Sequence, residues 1–130
     1  GYSNCSTFHP NIKREEKLTF LRDLSVFSVP SRYAEAFGLY VVEALAAGTP
    51  VVLPKSGAFP EIVENTNGGI IYEDNTSAAL AQSLGELLQD IDSLNEMGRV
   101  GREAVLHKYS NEHLAHSLID NILAPALANF

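Results

Sequence analysis

The stretch "PSRYAEAFGLYVVEALAAGTPVVLP", residues 30–54, sets two glutamates eight positions apart, Glu35 and Glu43, around a Phe-Gly pair and a short apolar run. Gly38 to Ala47 carries a helical pattern, and Gly48 stands where helices commonly end. Pro50 to Leu53, "PVVL", is a short continuous apolar run, the kind of strand that parallel sheets bury on both faces. Upstream, Leu24 to Val29, "LSVFSV", reads as a strand that Pro30 stops. Strand, loop, helix and buried strand in that order make a parallel crossover unit.

The pattern continues outward. Lys13 to Leu21 can form a short helix with Leu18 and Leu21 on one face. Pro60 opens the short helix "PEIVEN", Asn67-Gly68-Gly69 is a turn, and "GIIYE" is a third strand. Three helices are expected over 76–90, 93–107 and 111–127. Their apolar stripes are Leu80, Leu84, Leu87 and Leu88; then Leu94, Met97 and Val105; then Leu114, Leu118, Ile119 and Ile122, until Pro125 disturbs the end. Thr76, Ser93 and Ser110 are the expected N-caps. The fold class is therefore α/β, a Rossmann-like parallel sheet of about three strands with trailing helices. Ligands in such sheets bind beyond the carboxyl ends of the strands. Here those ends lead into Pro30–Phe37, Lys55–Phe59 and Asp74–Asn75.

The 130 residues suit one domain or part of one, and an apolar fraction of 45% supports a packed core. The formal charge of −7 argues against nucleic acid as a partner, which needs clustered Lys and Arg. It leaves room for a small anion, because helix-end amides bind phosphate without any net positive charge. The lone Cys5 permits no internal disulfide, so a reducing, cytoplasmic setting is expected. Residues 1–12 are polar and lack the basic start and apolar middle of a leader, and no long apolar run suggests a membrane span.

The loop before Gly38 leaves a strand's carboxyl end and enters a helix. The first amides of that helix lack intrahelical acceptors and carry the positive end of its dipole. Gly38 lets a ligand approach the backbone, which makes a diphosphate cradle without Lys or Arg. Glu35 would sit at its mouth and Glu43 inside the helix, on the order of 10 Å apart. A carboxylate accepts from adjacent sugar hydroxyls, so one glutamate on each side of a diphosphate fits the layout ribose, diphosphate, hexose. Two glutamates at this spacing also occur on ordinary surface helices. The apolar neighbours of Glu43 make a carboxylate without a partner more costly there.

"EAFGLYVVE" followed by "ALAAGTPVV" resembles the E-x7-E signature of family-four retaining glycosyltransferases of the GT-B fold, the glycosyl transferases group 1. "LSVFSVPS", "GAFPEIVENTNGGIIYEDN" and "MGRVGREAVLHKYSNEHLAHSL" resemble the segments around it, so almost the whole chain is covered. The resemblance implies that residues 1–130 are a partial C-terminal, nucleotide-sugar-binding domain. It implies that Glu35 is catalytic and touches donor-sugar hydroxyls, that Glu43 holds the ribose, and that amides of Phe37, Gly38 and Leu39 contact the donor. Gly57 and Glu61 would border the donor site. A turn role for Gly57 and a helix-dipole role for Glu61 stand equally beside that. No cofactor or metal is implied beyond the nucleotide-diphosphate sugar as donor substrate. The acceptor, a sugar, a lipid-linked sugar or a polysaccharide, would be held by an N-terminal domain.

The sequence departs from that family pattern in one respect. The basic pair that neutralises the diphosphate is expected further upstream, whereas Lys13, Arg14 and Lys17 fall in the first helix. The chain thus reads as the second half of a donor domain, without transferase activity alone. A non-catalytic nucleotide-binding or interaction module, and a nucleotide-sugar epimerase of the same fold, are the alternatives. His113 and His116, three apart, lack a third ligand at matching spacing, and Cys5 lacks a basic neighbour, so surface roles are expected. Arg32 and Lys55 either add charge near phosphate or are solvated loop residues. The strand at 24–29 would leave an open sheet edge, so self-association as a homo-oligomer is expected. Light scattering at high protein concentration checks this: a mass above the monomer agrees with it, and a monomeric mass removes it.

Overall fold

The computed structural model describes residues 3–124. After a 3-10 turn at Ser3–Cys5 come α1 (Arg14–Asp23), β1 (Phe27–Ser28), α2 (Leu39–Ala47), β2 (Val51–Pro54), α3 (Phe59–Thr66) and β3 (Gly69–Tyr72). Then follow α4 (Ser77–Gln89), α5 (Ile91–Lys108) and α6 (Asn111–Leu118), with a π-helical turn at Ile119–Leu123. The strands form a parallel sheet in the order β1-β2-β3, with Phe27 opposite Val51 and Val51 opposite Gly69. This is the α/β, Rossmann-like parallel arrangement expected.

β2 is central, and all four of its residues are buried. Its side chains alternate between two cores. Val51 and Leu53 meet Leu21 of α1, Val41 and Leu45 of α2, Phe59 and Ile62 of α3 and Val105 of α5. Val52, with Tyr72 of β3, meets Leu87 of α4 and Leu94 of α5. Each such aliphatic side chain contributes about 1.5–3 kcal/mol by leaving water. Helices therefore cover both faces, which leaves the strand ends as the place where loops gather.

Two features lock α5 onto this frame. Its Arg102 donates to the Ala46 carbonyl (2.8 Å) and its Lys108 to the Asn65 carbonyl (2.7 Å), so cations cap the C-terminal ends of α2 and α3. Gly101 lies against Gly68; a Cβ built on either would stand under 3 Å from the other's Cα.

The structure corrects several expectations. The first strand is two residues long, not six. Leu24 is spent as the C-cap of α1, its N–H donating to Leu21, and Ser31 turns back onto Val29. The β1 edge is correspondingly short. Ser93 is not the N-cap of α5. Asp90 is, accepting from the Ser93 amide at 3.0 Å and from its hydroxyl at 2.6 Å, so the helix starts earlier. Thr76 and Ser110 do cap α4 and α6. Leu88 turns outward (47% exposed), and Leu114, Leu118 and Ile119 are about half exposed, because no element among the described residues covers that side of α6. The Ile122 side chain and Pro125 lie outside the described residues. No helix among the described residues is long and apolar enough to cross a membrane.

The Tyr72 hydroxyl is buried in the second core with no hydrogen-bond partner among the described residues. Burial pushes its pKa above the ordinary 10.0. An orphaned buried hydroxyl costs about 1–3 kcal/mol, so Tyr72→Phe should raise stability at neutral pH by about 1 kcal/mol in urea unfolding. The wild-type protein should also lose stability as pH rises above 10, where the unfolded phenol ionises before the folded one. The gap to Tyr72→Phe should therefore widen with alkaline pH.

Candidate functional site

The loops after β1, β2 and β3 are laced together. The Ala58 amide donates to the Glu35 carbonyl at 2.8 Å. The Asn75 side chain donates to the Ser31 carbonyl at 2.7 Å. Lys55 pairs with Glu73 at 2.9 Å, so its charge is already matched. Gly57 has φ +55°, and a Cβ there would stand 2.2 Å from the Glu35 carbonyl oxygen and 2.4 Å from its nitrogen. Only a glycine allows that backbone-on-backbone approach, and it fixes Glu35 from below.

The Glu35 carboxylate is also held. Tyr40 donates its hydroxyl to Oε2, and the Phe37 amide donates to Oε1 at 3.3 Å. These donors, Tyr40 foremost, keep the Glu35 carboxyl below its usual pKa. Burial, then the adjacent carboxylate, pushes the Tyr40 phenol up to about 12.

Gly38 is the N-cap of α2, at φ +75°. Its absent Cβ would meet Ile62 (3.1 Å), Phe59 (3.4 Å) and the Glu35 side chain (3.6 Å), so the backbone conformation and the core packing both call for a glycine here. No side chain caps α2. Val41 and Val42 donate to the Gly38 carbonyl, which leaves the amides of Leu39 and Tyr40 without an acceptor among the described residues. The Phe37 and Leu39 side chains beside them are 54% and 63% exposed.

Glu43, in the middle of α2, faces α1 and not Glu35. Lys17 donates to its Oε1 at 2.6 Å. Both side chains are well exposed to water, so the pair is worth about 0–1 kcal/mol and acts chiefly on orientation. They line a cleft of about 580 Å³ together with Ile12, Arg14, Leu18, Arg22, Ala46, Ala47 and Arg102. Glu43 is its one acidic residue, while Arg14, Lys17, Arg22 and Arg102 bring four of the chain's nine cations. Glu61 is exposed in the first turn of α3, where its charge complements the helix end. It makes no hydrogen bond with Glu35 or Glu43.

Elsewhere, the His113 ring lies 6.0 Å from that of His107. No group of three or more His, Cys, Asp or Glu residues that could hold a metal occurs among the described residues. Cys5 is exposed and free.

Solved structures share this architecture. Sucrose-phosphate synthase from Thermosynechococcus elongatus matches with a TM-score of 0.84 and 28% identity, over 98% of this chain and 32% of that one. The C-terminal domain of the group 1 glycosyl transferase LpcC from Francisella tularensis matches with a TM-score of 0.68 and 28% identity, over 82% of this chain and 53% of that one. The fold is that of a GT-B C-terminal domain.

The chain belongs to the glycosyl transferases group 1 family, whose model matches residues 1–104. D-inositol 3-phosphate glycosyltransferase of Nocardia farcinica is 35% identical over 95% of this chain. GDP-mannose-dependent alpha-(1-6)-phosphatidylinositol monomannoside mannosyltransferase of Mycobacterium tuberculosis is 31% identical over 92% of it. The chain spans only 27% and 33% of the length of these two curated relatives.

Two partners of the glutamates escape a reading of the sequence. Tyr40 reads as a packing residue, and nothing in its spacing reveals a bond back to a loop. Lys17 is 26 residues from Glu43, and only the packing of α1 on α2 joins them.

Gly57→Ala should force the two loops apart. Overpacking of this kind costs about 1–3 kcal/mol, and the strained φ adds to it. Denaturant unfolding should show that loss, with shifted amide resonances at Glu35 and Ala58. Unchanged stability and spectra would show that the loops do not dock this closely.

Proposed function

We propose that this chain is the donor-binding part of a retaining glycosyltransferase that moves a sugar from a nucleotide-diphosphate sugar to an acceptor hydroxyl. The observation that carries the reading is α2. It opens with two amides, at Leu39 and Tyr40, that have no acceptor among the described residues; the Glu35 carboxylate stands just before that opening and Glu43 further along the helix, each held by a separate partner. The amides and the helix dipole suit the diphosphate. Glu35 accepts from hydroxyls of the transferred sugar, and Glu43 from the ribose. Amides of Phe37, Gly38 and Leu39 border the diphosphate, with Gly57 and Glu61 at the margin.

In the reaction, the bond between the anomeric carbon and the diphosphate oxygen breaks. The acceptor oxygen bonds to that carbon on the same face, and the acceptor proton passes to the departing diphosphate. Helix-end amides stabilise the charge that grows on the leaving group. Glu35, at the sugar, orients it for this exchange. The relatives named for inositol phosphate and phosphatidylinositol acceptors make a polyol or lipid-linked hydroxyl a reasonable acceptor class, held by another part of the protein. The exposed free Cys5 suits the reducing cytoplasm in which nucleotide sugars are made.

Ligand-observed NMR with UDP, GDP and ADP, their glucose conjugates and GDP-mannose tests this. One base should be preferred. Glu43→Ala should weaken the diphosphate and its sugar conjugate alike, by about tenfold, whereas Glu35→Gln should weaken only the conjugate. No binding to any of them would overturn the reading of α2 as a working donor site.

A further inference from the structure

Tyr40 is the second residue of α2, and its ring is wedged between two others. The centroid of Phe27 on β1 lies 6.4 Å away at a tilt, and that of Phe59 on α3 lies 6.4 Å away, edge-on. Three elements of the core thus fix where its hydroxyl stands. That hydroxyl reaches out of the core to Oε2 of Glu35, while the Phe37 amide takes Oε1. A phenylalanine would fill the same apolar space. The hydroxyl therefore has its purpose at Glu35 and not in the packing.

Glu35 needs such a hold. It lies in a loop, and its side chain has three rotatable bonds whose ordering costs entropy. The backbone is fixed by Ala58 and Gly57, but that alone leaves the carboxylate free to swing. A carboxylate offers about four acceptor positions, of which Tyr40 and Phe37 use two. One position remains on each oxygen, which suits two neighbouring hydroxyls.

We propose that Tyr40 is a positioning residue, whose core-anchored hydroxyl holds the Glu35 carboxylate in the orientation that receives the hydroxyls of the donor sugar. This rests on the reading of Glu35 as the sugar-side carboxylate. The groups acting on Glu35 are the Tyr40 hydroxyl first, then the Phe37 amide, with lesser contributions from the amides of Gly38 and Ala36; no charged side chain is among them. With the phenol pushed up to about 12, Tyr40 remains a donor from the pH at which Glu35 ionises up to strongly alkaline solution. The pair neither breaks nor exchanges roles near neutrality.

Tyr40→Phe tests this in the whole chain, because it keeps the ring and removes only the hydroxyl. Amide spectra and thermal unfolding first establish that the fold is kept. Carbon-detected NMR then follows the Glu35 carboxyl through a pH titration. Its midpoint should rise, since the largest influence that lowers it is gone. Affinity for the preferred nucleotide sugar should fall by about tenfold while that for the bare nucleoside diphosphate stays unchanged. An unmoved midpoint overturns the role of Tyr40 and leaves the donor reading intact. Equal losses for both ligands overturn it too, because Tyr40 would then act on the site at large. A wild-type chain that binds none of the ligands overturns the donor reading, and with it the purpose assigned to Tyr40, even where the midpoint rises.

Discussion

The burial of β2 on both faces is the constraint on which the rest depends. Val51, Val52, Leu53 and Pro54 have no contact with water, so a helix layer must lie on each side of the sheet. Once both faces are closed, the polar loops have only the strand ends to occupy. The three loops at the carboxyl ends meet there, and hydrogen bonds between Ala58 and Glu35 and between Asn75 and Ser31 tie them. The place where a ligand is expected is thus a consequence of the core. Phe59 makes the link concrete: it is fully buried, touches the space beneath Gly38, and packs edge-on against the ring that reaches Glu35.

The two glutamates share a signature but not a surrounding. Glu35 is a loop residue whose orientation comes from the core through Tyr40 and from the neighbouring loop through Gly57. Glu43 is a helix residue whose partner, Lys17, lies on a separate helix at the edge of an open cleft. The first hold is neutral donor to carboxylate and insensitive to salt. The second is an exposed ion pair, weakened by salt and easily exchanged for another donor. A carboxylate in the second setting can give up its partner to a ligand at little cost, whereas one in the first keeps its partner while a ligand is added.

What the sequence discloses follows from the range of the interactions involved. The parallel α/β order was legible because the runs "PVVL" and "GIIYE" and the helical stripes are local patterns. Gly48 at the end of α2 and the caps at Thr76 and Ser110 were legible for the same reason. The errors lie where two local signals compete or where tertiary contact decides. Leu24 can begin a strand or end a helix, and the helix took it. Asp90 and Ser93 are both good caps, and Asp90 prevailed because its carboxylate accepts from both the amide and the hydroxyl of Ser93. Of the candidate site, Glu35, Gly38 and Glu43 were legible as a motif. Tyr40 and Lys17 were not, since their bonds depend on how a loop folds back and how two helices pack.

The distribution of charge completes the picture. An acidic chain at −7 repels polyanions at a distance, yet four of its nine cations surround one cleft beside Glu43. Arg102 is already committed to the Ala46 carbonyl and Lys17 to Glu43, so the cleft is held in shape by half of the charges that give it its sign. The field it produces is therefore local, decaying within about 8–10 Å at moderate salt. Such an arrangement favours a small anion that can enter over an extended one that must lie along the acidic surface. Specificity for a compact anionic ligand then needs no net positive charge. It needs only that the few cations be gathered in one place, and the packing of α1 and α5 against α2 gathers them beside the middle and C-terminal end of that helix.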